Sequence, residues 1–402
     1  MRVSKESLRG RLLRQSETHP DLLGSGESSS TRTRRGNWKD NGTELRSLPD
    51  VCYVTFPNSP TKFSGKGLDR YAYELIRGAS LQCGLETSVV TSRTRRANYI
   101  LREAETVFRL RQIRARIFHA TSEYGLGCLL LAKKRPIVVT IHDLLPQLFF
   151  RHAPLVYANQ IFRLNLARYA DRVISTSTFY SDLFVRTLNI PKDRIEVVHY
   201  GVDHLTFRPR RERTKGRISR VLYIGGLNPL KGASDLIRAF ADFCKSESAE
   251  LLIGGRGKHS EVLMELSRKA GMAEKVSFLG YVEEDQLPDL YNSADVLVWP
   301  SYMGFGLSTL EAMSCGTPVI AANCLDSPEY LGNSAILYSP GDVVQLRDAL
   351  SSVLSADSSW KRRSDDALKW SEHFSWSKMA KDVLRLYDGL YDPTGNDFRN
   401  VS

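Results

Sequence analysis

The chain has 402 residues, more than one hydrophobic core usually supports, and its 42% hydrophobic content suffices for two or three such cores. No run reaches the roughly 18 to 20 apolar residues of a membrane span, the first thirty residues lack the apolar centre of a signal peptide, and the six cysteines (Cys52, Cys83, Cys128, Cys244, Cys315, Cys324) form no CxxC pair. A spanning protein, a disulfide framework and a cysteine zinc site are therefore not expected, and a cytoplasmic location is.

The net charge of +11 is one-sided: 10 Lys and Arg stand against 7 Asp and Glu in residues 1–50, 22 against 11 in 51–200, and 24 against 27 in 201–402. Such a field attracts an anionic partner: an acidic lipid surface, a phosphorylated acceptor or nucleic acid. Residues 1–48, with "GSGESSSTRTRRGN", hold too few apolar positions to offset chain entropy, which predicts a disordered leader. From Val51 short β-branched runs alternate with helical segments: "VCYVTF", "LDRYAYELIRGASLQ", "TSVVTS", "RIFHAT", "PIVVTIHD", "RVISTS", "IEVVHYGVD". Near-continuous apolar strands separated by helices predict a parallel sheet covered on both faces, here over 49–205. The Arg-rich run from Arg208 to Arg220 separates this series from the next and marks an expected linker, 206–219. A second series over 220–375 runs "VLYIGG", "AELLIGG", "KVSFLGYV", "DVLVWPS", "PVIAAN", "AILYSP", again with helices between. The fold class is α/β: two doubly wound, Rossmann-like domains facing each other across a cleft, with ligands at the carboxyl ends of the strands. The final segment, 376–402, is expected to form a helix across the junction and a tail.

Five stretches carry chemistry, and each also fits an ordinary structural role. In "YIGGLNPLKG", a strand ends in Gly225 and Gly226, and Lys231 stands near the next helix start, a combination that suits a diphosphate. In "PSYMGFGLSTLEAM", Gly304 and Gly306 let the backbone approach a ligand, and Glu311 can accept hydrogen bonds from vicinal hydroxyls. "KFSGKGLDRYAYELI" departs from GxGxxG, because Leu68, Asp69 and Arg70 follow Gly65-Lys66-Gly67, yet its glycines could cap a cleft. His142 in "TIHDLLP" and His119 in "RIFHATS" compete for a place at a strand end. Neither a Ser/His/Asp order nor a HExxH or DxD-type pair appears, so no catalytic metal is implied. Arg93 to Ile117 holds eight arginines against two glutamates, with Ile100, Leu101, Val107, Phe108, Leu110, Ile113 and Ile117 interleaved, as in a helix on a membrane surface or one with a plain core stripe. No recognition motif or aromatic stacking series points to nucleic acid.

Together these segments resemble the GT-B glycosyltransferases, most closely the retaining family 4, over about Val51 to Leu390. The resemblance is most specific where "VLYIGGLNPLKG", "LLIGGRG", "VSFLGYVEEDQLPDLYNSADVLVWPS", "GFGLSTLEAMSCGTPVIAAN" and "SPEYLGNSAILYSPGD" follow in order. It implies a first domain for the acceptor and a second for a nucleoside-diphosphate sugar, which is substrate rather than cofactor. It implies that Lys231 contacts the diphosphate, that Glu311 contacts the ribose, and that the backbone of Phe305, Gly306 and Leu307 contacts sugar and phosphate. Gly65 and Gly67 would close over the diphosphate and His142 would reach the transferred sugar. The implied activity is a metal-independent transfer of a hexose, mannose or glucose, to a glycan or lipid-linked glycan, with His142 and Lys231 as catalytic groups. Two positions depart from the family: Met303, where many members carry Glu, and Gly226, where many carry Arg. The alternative is a weak or inactive GT-B protein that binds a nucleotide, a glycan or a partner enzyme.

Overall fold

The computed structural model describes residues 51–55, 67–83, 85, 87–91, 99–144, 154–210, 218–354 and 357–390. The expected leader, Gly65, Arg93 to Arg96, most of the Arg-rich linker and the tail beyond 390 lie outside the described residues.

The first series is β1 (Val51–Val54), α1 (Gly67–Cys83), β2 (Thr87–Val90), α2 (Tyr99–Gln112), β3 (Ile117–Ala120), α3 (Glu123–Leu131), β4 (Ile137–Ile141), α4 (Pro154–Asn165), β5 (Arg172–Ser175), α5 (Thr178–Leu188) and β6 (Ile195–Val197). The second is β7 (Ser219–Ile224), α6 (Ala233–Phe243), β8 (Ala249–Gly254), α7 (Ser260–Lys269), β9 (Val276–Gly280), α8 (Leu287–Ser293), β10 (Val296–Trp299), α9 (Leu307–Ser314), β11 (Val319–Ala322), α10 (Ser327–Leu331), β12 (Ile336–Tyr338) and α11 (Val343–Leu354), followed by α12 (Asp357–Ser371) and α13 (Trp376–Asp388). The strands form two parallel six-stranded sheets, ordered β2-β1-β3-β4-β5-β6 and β12-β11-β10-β7-β8-β9.

Because successive strand side chains point to opposite faces, each apolar strand feeds two cores. Cys52 and Val54 pack with Phe118, Ala120 and Val139 on one face; Val51 and Tyr53 pack with Ile117, Val138 and Ile174 on the other. The second sheet divides in the same way, Val221 and Tyr223 joining Leu251 and Val298, and Leu222 joining Leu297 and Trp299. Each fully buried side chain of this kind contributes about 1.5–3 kcal/mol, so two-sided burial explains why these runs are apolar throughout. Strand order reverses between β1 and β3 in one sheet and between β7 and β10 in the other, and ligands of such sheets bind at these reversals.

The chain leaves the first sheet at Val198, whose N–H donates to Ser175 O, and Val202 N–H donates to Phe374 O. Phe207 is already buried with Tyr291, Leu310 and Met313 in the second core. The crossing is therefore made before the Arg-rich run, within 198–206, because Phe207 is too apolar to remain in a linker. Here Gly201 runs against the returning strand of chain, where a Cβ would come within 2.1 Å of Trp376 N. Helix α13 returns to the first sheet, its Met379, Val383 and Tyr387 packing with Tyr53 and Leu75. Across the junction, Glu329 of α10 caps α5, accepting from Thr178 N at 2.7 Å and Phe179 N at 3.1 Å.

Helix α2 carries the core stripe of one expectation and, beside it, exposed apolar side chains. Leu110 is buried and Val107 and Ile113 pack on the first core, whereas Ile100, Leu101 and Phe108 are 73%, 60% and 65% exposed.

Candidate active site

The carboxyl ends of the two sheets enclose a cavity of about 700 Å³. It lies at the β7/β10 reversal, where topology alone places a ligand crevice.

Trp299, the last residue of β10, forms its floor. The indole stacks near Tyr223, with centroids 6.1 Å apart, and its Nε1–H donates to Gly304 O at 2.8 Å. The glycines around it answer to this ring: a Cβ at Gly306 would come within 2.4 Å of the indole and one at Gly225 within 2.8 Å. Gly304 has φ +76° and its Cβ would meet Asp326 Oδ1 at 2.3 Å. The Gly-Phe-Gly turn is thus required by two of the protein's own side chains, Trp299 and Asp326, whatever ligand approaches it.

Lys231 ends a 3-10 turn, Pro229–Lys231, and Gly232 follows in the left-handed region. There a Cβ would overlap Pro300 O, and Tyr302 N–H donates to Leu230 O at 2.9 Å, so the two loops hold each other. The Lys231 ammonium lies 4.7 Å from the Trp299 ring centroid, an attraction favourable over an indole face. Burial pulls its pKa down, while Asp143 and Asp326 pull it up.

Glu311, in the second turn of α9, is buried yet lines the cavity. Its Oε2 accepts from Tyr291 OH at 2.7 Å. Burial pushes its carboxyl above the usual range, opposed by the Arg70 guanidinium and the Tyr291 hydrogen bond. Phe305 N–H is already taken by Asp326 Oδ1 at 2.9 Å. In the first turn of α9 the Thr309 N–H donates to Gly306 O at 2.9 Å, the N–H groups of Leu307 and Ser308 precede the first intrahelical bond, and Ser308 Oγ, buried beside them, has no hydrogen-bond partner.

His142 follows β4 and lines the cavity. Its Nε2 lies 2.8 Å from Thr121 O; a carbonyl only accepts, so Nε2 carries the proton and Nδ1 accepts from Tyr200 OH at 2.6 Å. Burial pulls this imidazole down to about 4, so it is neutral at pH 7. His119 is fully buried elsewhere, bonded to Tyr387 OH at 2.5 Å and Thr140 Oγ1 at 2.8 Å. The competition between the two histidines is settled by packing: only His142 faces the cavity.

Of the expected site residues, Gly225, Gly226, Lys231, His142, Phe305, Gly306, Leu307 and Glu311 meet at this one cavity. Gly67 opens α1 three residues before Arg70. Met303 is not among the lining residues, whereas Asp326, from the loop after β11, stands at the Gly-Phe-Gly turn with its carboxyl pushed up to about 6 by burial. Sequence reasoning missed Arg70, Asp143, Tyr200, Arg256, Glu284 and Trp299, all of which line the cavity. Asp143, Arg256 and Trp299 had a signal, because each stands at or just beyond the carboxyl end of a strand. Among the described residues, no group of three His, Cys, Asp or Glu side chains is disposed to hold a metal ion.

Residues 65–204 match the family model described as Glycosyltransferase Family 4, and residues 207–370 the model described as Glycosyl transferases group 1. The D-inositol 3-phosphate glycosyltransferase of Rhodococcus opacus is 31% identical over 274 residues, covering 63% of this chain and 61% of that protein. The O-antigen chain mannosyltransferase B of Escherichia coli is 30% identical over 234 residues, 54% of this chain and 60% of that one. The chain thus spans about three-fifths of the length of these curated relatives. Among solved structures, the sucrose-phosphate synthase of Thermosynechococcus elongatus superposes with a TM-score of 0.72 at 19% identity, over 85% of this chain and 98% of that one. Anabaena HepE, solved with UDP and glucose, does so with 0.68 at 18% identity, over 85% and 99%. At these identities the structural likeness speaks to fold alone. With two matching sequence models in tandem from 65 to 370 and this two-sheet fold, the chain belongs to the GT-B glycosyltransferases of family 4, group 1.

Proposed function

We propose that this protein transfers a hexose, mannose or glucose, from a nucleoside-diphosphate sugar to a hydroxyl of a glycan or lipid-linked glycan, with retention at the anomeric carbon and without a divalent cation. The observation that carries this is the convergence of Lys231, the start of α9 and Glu311 on one cavity. An ammonium and a helix N-terminus suit a diphosphate, and a carboxylate suits ribose hydroxyls. In this scheme the sugar lies between the Phe305–Leu307 backbone and His142. The glycosidic C–O bond to the diphosphate breaks, Lys231 stabilises the charge on the departing oxygen, and the acceptor oxygen bonds to the same face while its proton passes to that leaving oxygen. His142, with both nitrogens engaged, acts as a neutral hydrogen-bonding wall rather than as a base.

The exposed Ile100, Leu101 and Phe108, with the exposed Arg111, Arg114 and Arg116 nearby, support a peripheral contact of α2 with an anionic bilayer at the cytoplasmic face. Among the described residues no helix is long and apolar enough to cross a membrane. Co-sedimentation with acidic vesicles, absent with neutral ones, is expected.

A second reading, a binding protein with little or no transfer activity, is favoured by Met303 and Gly226. One experiment separates the two: a thermal-shift panel of nucleoside-diphosphate sugars, since a ligand of the native state stabilises it by mass action, followed by product analysis with the stabilising donor. Stabilisation with transfer supports the enzyme; stabilisation without transfer supports the second reading as a nucleotide binder; no stabilisation by any donor defeats the enzyme and favours the second reading as a protein that binds a glycan or a partner enzyme.

A further inference from the structure

Arg70 stands on α1, a helix of the first sheet, yet its guanidinium is spent on the second. It hydrogen-bonds Glu284, in the 3-10 turn before α8, lies 3.7 Å from Glu311 Oε1, and leans 5.8 Å from the centroid of Phe207. On its own helix Glu74 is 3.9 Å away. Arg70 is only 7% exposed, so these charges meet in a region where screening by water is weak. The surroundings of Glu311 are otherwise acidic or neutral: Glu74 from α1, Glu284 before α8, Tyr291 from α8, Cys315 beyond its own helix, and Asp203 from the crossing, which acts on Glu284 and Glu74. Arg77 is paired with Glu74 at 3.6 Å. Arg70 is the cation that opposes protonation of Glu311.

The distances also divide the carboxylate. Tyr291 OH takes Oε2 at 2.7 Å, whereas Arg70 at 3.7 Å is too far from Oε1 for a direct hydrogen bond. The guanidinium therefore supplies charge without occupying the acceptor. We propose that Arg70 is a positioning residue for donor recognition: reaching across the cleft, it keeps Glu311 an open carboxylate with Oε1 left for ribose hydroxyls, so that ribose recognition is completed only when the two sheets face each other. This rests on the donor reading above and adds to it a dependence of the ribose contact on the opposite sheet.

The test compares binding of UDP, GDP and ADP with that of their 2′,3′-dideoxy counterparts, by calorimetry between pH 6 and 8.5, in the wild type, Arg70→Met and Arg70→Lys. For the diphosphate that binds, the wild type prefers the ribose form throughout. Arg70→Met loses about tenfold in affinity for the ribose form near pH 6.5 and none for the dideoxy form. That loss shrinks as pH rises, because an uncompensated Glu311 carboxyl regains its charge only on deprotonation. Arg70→Lys, which keeps the charge, stays within about threefold of the wild type and carries the test if the Met variant does not fold. Equal losses for ribose and dideoxy forms, or a loss that does not change with pH, would overturn the role of Arg70. If the wild type binds no diphosphate, it is the donor reading that fails, and Arg70 loses its role with it.

Discussion

The two sheets end in the same cavity but present opposite kinds of chemistry to it. The second offers charge at low exposure: Lys231 over an indole, Glu311 on a tyrosine, Asp326 on a backbone N–H. The first offers neutral groups already engaged with one another, His142 between Thr121 and Tyr200, with His119, Thr140 and Tyr71 bonded behind it. In the proposed transfer, the charge that appears on the leaving group would meet charge held ready on the second sheet, while the first sheet supplies neutral groups. Two first-sheet charges are the exceptions: Asp143, which lines the cavity and acts on Lys231, and Arg70, a cation delivered to the second sheet.

That contrast is broken most directly at Lys231. Lys231→Ala is expected to lower donor turnover about a hundred- to a thousandfold with the fold intact, the range seen when one stabilising donor is removed from a developing oxyanion. His142→Gln, which keeps hydrogen-bonding groups in a neutral side chain, should lose less. An equal loss in the two variants, measured as single-turnover rates, would mean that the first sheet takes a larger part in the chemistry than its neutrality suggests.

Gly306 tests the floor rather than the charge. Gly306→Ala drives a methyl into the Trp299 indole, which is fixed by its hydrogen bond to Gly304. Overpacking of this kind costs about 1–3 kcal/mol, so a lowered denaturation midpoint is expected together with weaker donor binding. A midpoint equal to that of the wild type would show that the indole can move.

His119 tests the neutral network by pH. Its folded pKa is pulled to about 3 by burial, below the unfolded value near 6.5, so the unfolded chain takes up the proton first and the native state loses stability as pH falls. Relative to His119→Gln, the wild type should lose about 2 kcal/mol of its advantage between pH 7 and pH 5. A difference between the two that stays constant over this window in denaturant titrations would contradict a neutral, buried His119.

Much of this was legible in the sequence where the information is local. Lys231 and the Gly-Phe-Gly turn each sit in a strand–turn–helix stretch, and the alternation of apolar strands with helices was enough for two parallel sheets. What escaped depends on packing between distant segments. Arg70 and Glu284 are 214 positions apart, and in the sequence Arg70 is merely a bulky residue that spoils a glycine pattern. Asp326 and Phe305 are brought together by the adjacency of β10 and β11, and Trp299 shows its purpose only once three glycines are seen to need room beside it or a bond from it.

The smallest expected effect concerns the residue pair Gly225 and Gly226, identical in sequence and different in space. Gly225 is enclosed by Trp299 and the Tyr223 hydroxyl, whereas a Cβ on Gly226 would meet nothing nearer than Asn228 Nδ2 at 4.0 Å. Gly226→Arg should therefore change stability by no more than about 0.5 kcal/mol, and its guanidinium would enter the cavity on the diphosphate side, where a bidentate clamp is available to phosphate oxygens. Donor affinity should rise modestly. If it falls instead, the charge already held by Lys231 and the start of α9 fills the diphosphate site, and Gly226 is adapted to that arrangement rather than the remnant of a lost one.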